Sequence, residues 1–358
     1  MREILLDAPT GKCRILLGDS ISNIKNYTRG SSDSETKSPI ILTDSNVMKH
    51  YSAALADFEC IVIGVGEEAK TLKTVESVYE QLLERGIERS SFIVGVGGGI
   101  VCDVTGFIAS TYLRGIPFGF VPTTLLAQVD ASIGGKNGVN FKNYKNIIGT
   151  IRQPEFCLCD LDTLKTLPEK ELRCGFAEII KHAAIADSSL FAYLEENHNS
   201  AISLHRTVIE KIVNDSIAVK LKIVEKDETE SGDRKKLNFG HTIGHAIEKV
   251  SSSGSISVSH GEAVSIGMIL EAKLSLSRGL LSEKDAQRNV ERLRALLMAF
   301  GLPVKLTGCS KSALMDAINK DKKRSDDSIL LPVLEGIGKS KILPVKLSEI
   351  EVLLDDLC

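Results

Sequence analysis

The stretch Ser91-Phe92-Ile93-Val94-Gly95-Val96-Gly97-Gly98-Gly99 decides the fold. Its apolar residues follow one another without alternation, as in a strand covered on both faces, and three glycines then lead into a helical pattern. A strand that passes into a helix through glycines opens an α/β unit. The same grammar recurs upstream. Pro39-Ile40-Ile41-Leu42-Thr43 reads as a strand ahead of the turn Asp44-Ser45-Asn46, and Cys60-Ile61-Val62-Ile63 as another ahead of a helix with apolar spacing at Val75, Val78, Leu82 and Leu83. This alternation predicts an α/β fold with a largely parallel sheet.

Past Phe156-Cys157-Leu158-Cys159-Asp160 the strand-like runs nearly vanish, and segments of helical period continue to Asp316. The 358 residues exceed what one core usually holds, so two domains are expected, 1–162 and 163–358, the second mostly helical. Ile329-Leu330-Leu331-Pro332-Val333-Leu334 with Lys341-Ile342-Leu343 forms a candidate terminal hairpin, and the polar run from Gly30 to Ser38 reads as a surface loop.

A formal net charge of -3 offers no field for nucleic acid, so an anionic ligand must be held by basic residues gathered locally. There is no apolar run of signal-peptide or membrane-spanning length, and neither secretion nor membrane insertion is expected. The eight cysteines include no C-x-x-C pair and read as reduced thiols of a cytoplasmic protein, with an origin in an organelle and a removed transit peptide as the alternative.

Three glycines between a buried strand and a helix let backbone N–H groups and the helix dipole hold a phosphate. The third glycine position of the dinucleotide fingerprint is Ile100, so the segment reads either as a nucleotide site or as a tight strand-to-helix turn. Asp103 is then either a ribose ligand or a first-turn helix acid. In the second half, Asn238-Phe239-Gly240-His241-Thr242-Ile243-Gly244-His245 sets two imidazoles four apart on one helical face, followed by His260-Gly261-Glu262 and preceded by Glu178 within Gly175-Phe176-Ala177-Glu178-Ile179-Ile180-Lys181-His182. Histidines with one carboxylate are the donor set of a catalytic zinc site. Spacing nominates His241 and His245 alike, and it equally allows one core histidine beside one exposed one. Arg114-Gly115, Gly134-Gly135-Lys136, Lys145-Asn146, Lys220, Arg234 and Asp321-Lys322-Lys323 place cations where phosphate or carboxylate can be bound, although single lysines are most often solvated.

Read in order, Gly97-Gly98-Gly99-x-x-x-Asp103, Arg114-Gly115, Pro122-Thr123-Thr124, Val129-Asp130-x-Ser132, Gly134-Gly135-Lys136, Lys145-Asn146, Asp162-x-Leu164-x-Thr166-Leu167-Pro168, Gly175-x-Ala177-Glu178, Asp227-Glu228-x-Glu230-x-Gly232-x-Arg234, Gly240-His241-Thr242-x-Gly244-His245 and His260-Gly261-Glu262 resemble 3-dehydroquinate synthases, of the sugar phosphate cyclase superfamily, from about Asp44 to Lys323. The resemblance implies a Rossmann-like NAD-binding domain, a mostly α-helical metal- and substrate-binding domain, an active site in the cleft between them, and a homodimer. It implies zinc, with cobalt as a substitute, on Glu178, His241 and His260, which leaves His245 to the substrate. NAD positions would be Asp44, Glu67, Lys70, Gly98, Gly99, Ile100, Asp103, Thr123, Thr124, Lys136, Lys145, Thr163 and Thr166. Catalytic and substrate positions would be Asp130, Lys136, Asn146, Lys181, Lys220, Arg234, Asn238, His245 and Lys322, with Arg114 reaching the neighbouring subunit's site.

The implied reaction turns 3-deoxy-D-arabino-heptulosonate 7-phosphate into 3-dehydroquinate and phosphate by transient oxidation, β-elimination, re-reduction and aldol closure. A metal-dependent polyol dehydrogenase of the glycerol dehydrogenase type would share the glycines and metal ligands but has no use for Lys220, Arg234, Lys136 and Lys322. Cyclases acting on sugar phosphates without a carboxylate would not need the Lys220 and Arg234 pair. An inactive binding protein would not need the metal ligands and Lys181. The sequence departs from the family pattern in the serine-rich connection Ser251 to Ser259 and in Asn137 where threonine is frequent.

Overall fold

The computed structural model describes all residues except 29–37, 143, 253–257, 307, 322–326 and 358. The polar run after Gly30, the middle of the serine-rich connection and Lys322 therefore lie outside the described residues. The chain forms two compact units, Met1–Pro168 and Glu169–Cys358.

The first unit contains β1 (Arg2–Ala8), β2 (Gly11–Leu17), β3 (Ile40–Asp44), α1 (Ser45–Tyr51), β4 (Cys60–Ile63), α2 (Leu72–Glu84), β5 (Ile93–Gly97), α3 (Gly99–Thr111), β6 (Phe118–Pro122), β7 (Lys136–Phe141), β8 (Tyr144–Ile151) and β9 (Phe156–Cys159). Seven strands make one sheet in the order β1-β2-β9-β6-β5-β3-β4. Only β1 is antiparallel to its neighbour; the other pairings are parallel. Every residue of β5, β6 and β9 is buried, which explains why these segments carry apolar residues at consecutive positions. The chain passes from β3 outward to β4 and then returns to lay β5 on the opposite side of β3. Such a reversal opens a crevice at the carboxyl ends of β3 and β5, where open α/β sheets bind their ligands. The hairpin β7–β8 stands apart from the sheet as its own antiparallel pair.

The second unit contains α4 (Glu169–Ala186), α5 (Ser188–Ile202), α6 (Arg206–Lys226), α7 (His241–Ser252), α8 (His260–Ser277), α9 (Glu283–Ala299), α10 (Lys311–Asp321), β10 (Ser328–Gly336), β11 (Lys339–Lys346) and α11 (Leu347–Leu354). The expected terminal hairpin is present as the antiparallel pair β10–β11. Helix α8 is its centre, packed by α4, α7 and α9, and buries Val264, Ile266, Met268, Ile269 and Leu270 around its circumference. Apolar residues all round suit a helix with neighbours on several sides, each buried Leu or Ile contributing about 1.5–3 kcal/mol. A core of Ile243, Ile247, Ile266, Leu270, Leu314, Leu331, Val345 and Ile350 ties α7 and α8 to the hairpin and to α10 and α11.

Candidate active site

Helix α4 carries Glu178, Lys181 and His182 at intervals of three and four, hence on one face. All three are buried. The Lys181 ammonium donates to Oε2 of Glu178, and Nδ1 of His182 meets the buried Ser216 hydroxyl of α6 at 2.8 Å. Glu178 is therefore held by its own helix before any other element contributes.

The histidines come from α7 and α8, which approach closely because their contact is lined with glycine. Gly240 takes φ +80°, and a Cβ there would lie 2.7 Å from the Val264 carbonyl oxygen; a Cβ on Gly267 would lie 2.0 Å from the Gly240 oxygen. Any side chain would force the two helices apart. The buried Glu271 of α8 accepts the Gly240 N–H at 2.7 Å and fixes the start of α7. As a result Nε2 of His241 and Nε2 of His260 each stand 3.6 Å from Oε1 of Glu178. Three donors at about 2.0–2.1 Å from a tetrahedral ion are about 3.4 Å apart, so this trio fits a divalent cation.

The two histidines differ electrostatically. Burial and the Lys181 charge hold His241 well below the usual histidine range against the opposing pull of Glu178, so it is neutral and ready to ligate. Burial also opposes charge on His260, yet hydrogen bonds to Glu178 and Glu248 raise it to about 10. Its Nδ1 faces Oε2 of Glu248 at 3.4 Å, the arrangement by which a carboxylate orients a metal-bound imidazole. His245 is exposed, with its ring 5.4 Å from that of His241 and 6.3 Å from that of His260. A second trio, His245, Glu248 and His260, also converges, so the geometry groups His245 with Glu248 and His260 rather than with Glu178.

Two further cations of this unit are buried. Lys220 on α6 and Arg234 are 4% and 3% exposed, burial that charged side chains tolerate only when paired. Arg234 lies in the 3-10 segment Asp233–Asn238, which packs on α6. Its guanidinium donates to the Glu228 carbonyl, and the Asn238 amide donates to the Glu230 carboxylate.

In the first unit the carboxyl ends of β3, β5 and β6 carry Asp44, Gly97 and Pro122, followed by Thr123 and Thr124. Gly98 caps α3 without a side-chain bond, and a Cβ on Gly99 would come within 3.0 Å of Ala131. Because α3 starts at Gly99, Asp103 lies beyond its first turn and is no first-turn acid; instead it pairs with the buried Lys70. Asp44 caps α1 by accepting from Asn46 and Val47. Glu67 accepts from Asn140, whose Oδ1 in turn takes the N–H of Asn146. Thr163 is buried between Gln128 and Asp160, and the Thr166 hydroxyl meets Tyr51 at 2.5 Å. Asp130 sits in the π-helical turn Ala127–Ala131, Lys136 opens β7, and Lys145 and Asn146 are exposed on β8.

Residues 60–174 match the family model for the 3-dehydroquinate synthase N-terminal domain, and residues 175–324 match the C-terminal one. The chain belongs to the 3-dehydroquinate synthase family. The 3-dehydroquinate synthase of Geobacter metallireducens is 46% identical over 286 residues, 80% of this chain and 78% of the relative. Among solved structures, a 2-deoxy-scyllo-inosose synthase complexed with carbaglucose-6-phosphate, NAD+ and Co2+ superposes with a TM-score of 0.86 at 27% identity, covering 100% of both chains. The 2-epi-5-epi-valiolone synthase of Streptomyces hygroscopicus, with NAD+ and Zn2+ bound, gives 0.83 at 28%, covering 99% of this chain and 97% of that one.

Family motifs alone pass over Glu248 and Glu271, the carboxylates behind His260 and Gly240. Glu248 follows His245 by three residues on α7, a spacing that marks it in retrospect; Glu271 carries no such local signal, because it meets Gly240 only through helix packing.

Proposed function

We infer that this chain catalyses the 3-dehydroquinate synthase reaction, converting 3-deoxy-D-arabino-heptulosonate 7-phosphate into 3-dehydroquinate and phosphate in the shikimate pathway of aromatic amino acid biosynthesis. The observation that carries this reading, within a member of that family, is the pair of buried cations Lys220 and Arg234 in the same unit as the Glu178, His241 and His260 cluster. A substrate with both a carboxylate and a phosphate uses all of these groups; a simple polyol uses only the cluster.

Glu178, His241 and His260 would hold zinc, which cobalt could replace, and the nucleotide cofactor would be NAD. When bound, NAD would supply the acceptance and return of a hydride and the divalent ion the polarisation of a substrate hydroxyl, chemistry that is redox-neutral in sum. Lys220 and Arg234 take the substrate carboxylate through charge-assisted hydrogen bonds, and Asn238 and His245 contact its hydroxyls. Lys181 balances the charge of Glu178. Asp130, Lys136 and Asn146 of the first unit bind and orient the reacting end of the substrate, and its NAD site uses the α3 N-terminus with Asp44, Lys70, Asp103, Thr123 and Thr166.

The working form is a homodimer in which Arg114 serves the partner's site. Two features support this. Leu113 and Arg114 adopt positive φ (50° and 65°), a costly conformation for such residues, and Gly115 abuts Arg152 just after β8. Nearby, the hairpin β7–β8 exposes Phe141, Tyr144, Ile147 and Ile151, an apolar face suited to a second copy. No helix among the described residues is long and apolar enough to cross a membrane. The buried free thiols Cys13, Cys102, Cys157 and Cys159 suit the reducing cytoplasm.

The test is turnover of the heptulosonate phosphate with NAD and zinc, following phosphate and the cyclic product together. Product without net NADH is expected. Turnover of a sugar phosphate lacking the carboxylate, with none of the heptulosonate, would overturn the reading.

A further inference from the structure

Helix α6 ends at Lys226, and the chain reaches the 3-10 segment of Arg234 through a turn of six residues, 227–232. Glu230 within this turn takes a positive φ of 62°. Arg234, Lys235 and Asn238 reach back to Glu228, Ser231 and Glu230 of this turn, and one side chain within it makes four more hydrogen bonds. Oδ1 of Asp227 accepts from the Ser231 N–H at 2.9 Å and from the Ser231 hydroxyl at 3.0 Å. Oδ2 accepts from the Gly232 N–H at 2.7 Å and from the Arg234 N–H at 3.0 Å.

We propose that Asp227 is a positioning residue for substrate recognition, its carboxylate clasping the turn so that the Arg234 guanidinium is presented to the substrate carboxylate. The inference rests on the role given to Arg234 above. The chemistry of the clasp is specific: all four partners are donors, so both oxygens must be acceptors. Burial would raise the carboxyl, but the hydrogen bonds from Arg234, Gly232 and Ser231 prevail and hold it at about 2, so the acceptor form persists throughout the working pH range. Arg234 is thus held at two points, its backbone N–H by Asp227 and its guanidinium by the Glu228 carbonyl of the same turn. A rotation of the turn therefore moves both anchors of Arg234 together.

Asp227→Asn keeps size and shape but converts one acceptor oxygen into an NH2 aimed at N–H donors. The experiment is a double-mutant cycle of Asp227→Asn with Arg234→Ala in the NAD- and zinc-loaded enzyme, reading KM for the heptulosonate phosphate, KM for NAD and bound zinc. Asp227→Asn alone should raise the substrate KM by about tenfold, the factor that one hydrogen bond to a charged group commonly contributes, leaving NAD KM and zinc unchanged. In the Arg234→Ala background the same change should have almost no further effect. Multiplicative losses, an unaltered substrate KM, or equal losses for NAD and substrate would overturn the proposal. If Arg234→Ala itself leaves the substrate KM unchanged, it is the role of Arg234 that fails, and Asp227 with it. Should Asp227→Asn not fold, Ser231→Ala removes one donor to the carboxylate at an exposed position, and the same non-additivity must appear at about twofold amplitude.

Discussion

Lys181 and Glu178 stand one helical turn apart on α4, 1% and 0% exposed, with the ammonium donating to Oε2 of the carboxylate. Removing one partner of a buried pair leaves a charge without compensation, which costs about 3–5 kcal/mol. Lys181→Ala should destabilise the metal-free protein by about that amount in denaturant unfolding, and zinc should restore part of the loss because the ion neutralises Glu178. A loss below about 1 kcal/mol in chelator would mean that the pair is not buried as charges.

Metal uptake should release a proton. In the metal-free chain His260 is held at about 10 and is therefore charged at neutral pH, whereas His241 is depressed and already neutral. Between about pH 7 and 9 each zinc ion should displace one proton from His260, and affinity should rise about tenfold per pH unit until it levels near pH 10. Calorimetry in buffers of different ionisation enthalpy measures this directly. His260→Ala should lose both the proton release and most of the bound metal; an unchanged metal content would exclude this residue as a ligand.

NAD should be required yet regenerated within each turnover. Phosphate should accumulate in proportion to product while absorbance from NADH stays at a low plateau, and chelation should stop both until zinc or cobalt is returned. Steady growth of NADH would assign the chain a dehydrogenase reaction instead.

Arg114 provides the test of assembly. Arg114→Ala and His260→Ala should each be nearly inactive, but equal amounts mixed and allowed to exchange should recover about a quarter of wild-type activity. Half of the dimers then contain one site with its own His260 and the partner's Arg114. Subunit exchange seen by mass spectrometry without recovery would confine Arg114 to its own chain.

Much of the first unit was legible in the sequence because burial on both faces writes itself as uninterrupted apolar runs. Ile93–Gly97 and Ile40–Asp44 are strands for that reason, whereas the edge strand Cys60–Ile63 leaves Val62 exposed, and the glycines mark where α3 begins. The hairpin β7–β8 was not legible: Phe141, Tyr144, Ile147 and Ile151 are exposed, so no core imposes a period on them. The order of strands, and hence the crevice between β3 and β5, depends on which edge each crossover reaches, and no single segment encodes that.

The same division holds for the candidate site. The sequence by itself determined which residues are available, above all Glu178, Lys181, His241, His245, His260, Lys220 and Arg234, together with the family they belong to. Local spacing nominated His241 and His245 equally, since four residues along one helix face cannot say what stands opposite. Only the packing of α4, α7 and α8, close enough because Gly240 and Gly267 lack side chains, sets His241 and His260 at equal distances from Glu178 and leaves His245 exposed beside them. Likewise the motif containing Asp227 and Arg234 was readable as letters, but the clasp was not. A carboxylate meets three backbone amides and a hydroxyl of its own turn only once the chain has folded back on itself, a property of three-dimensional closure rather than of any residue's identity.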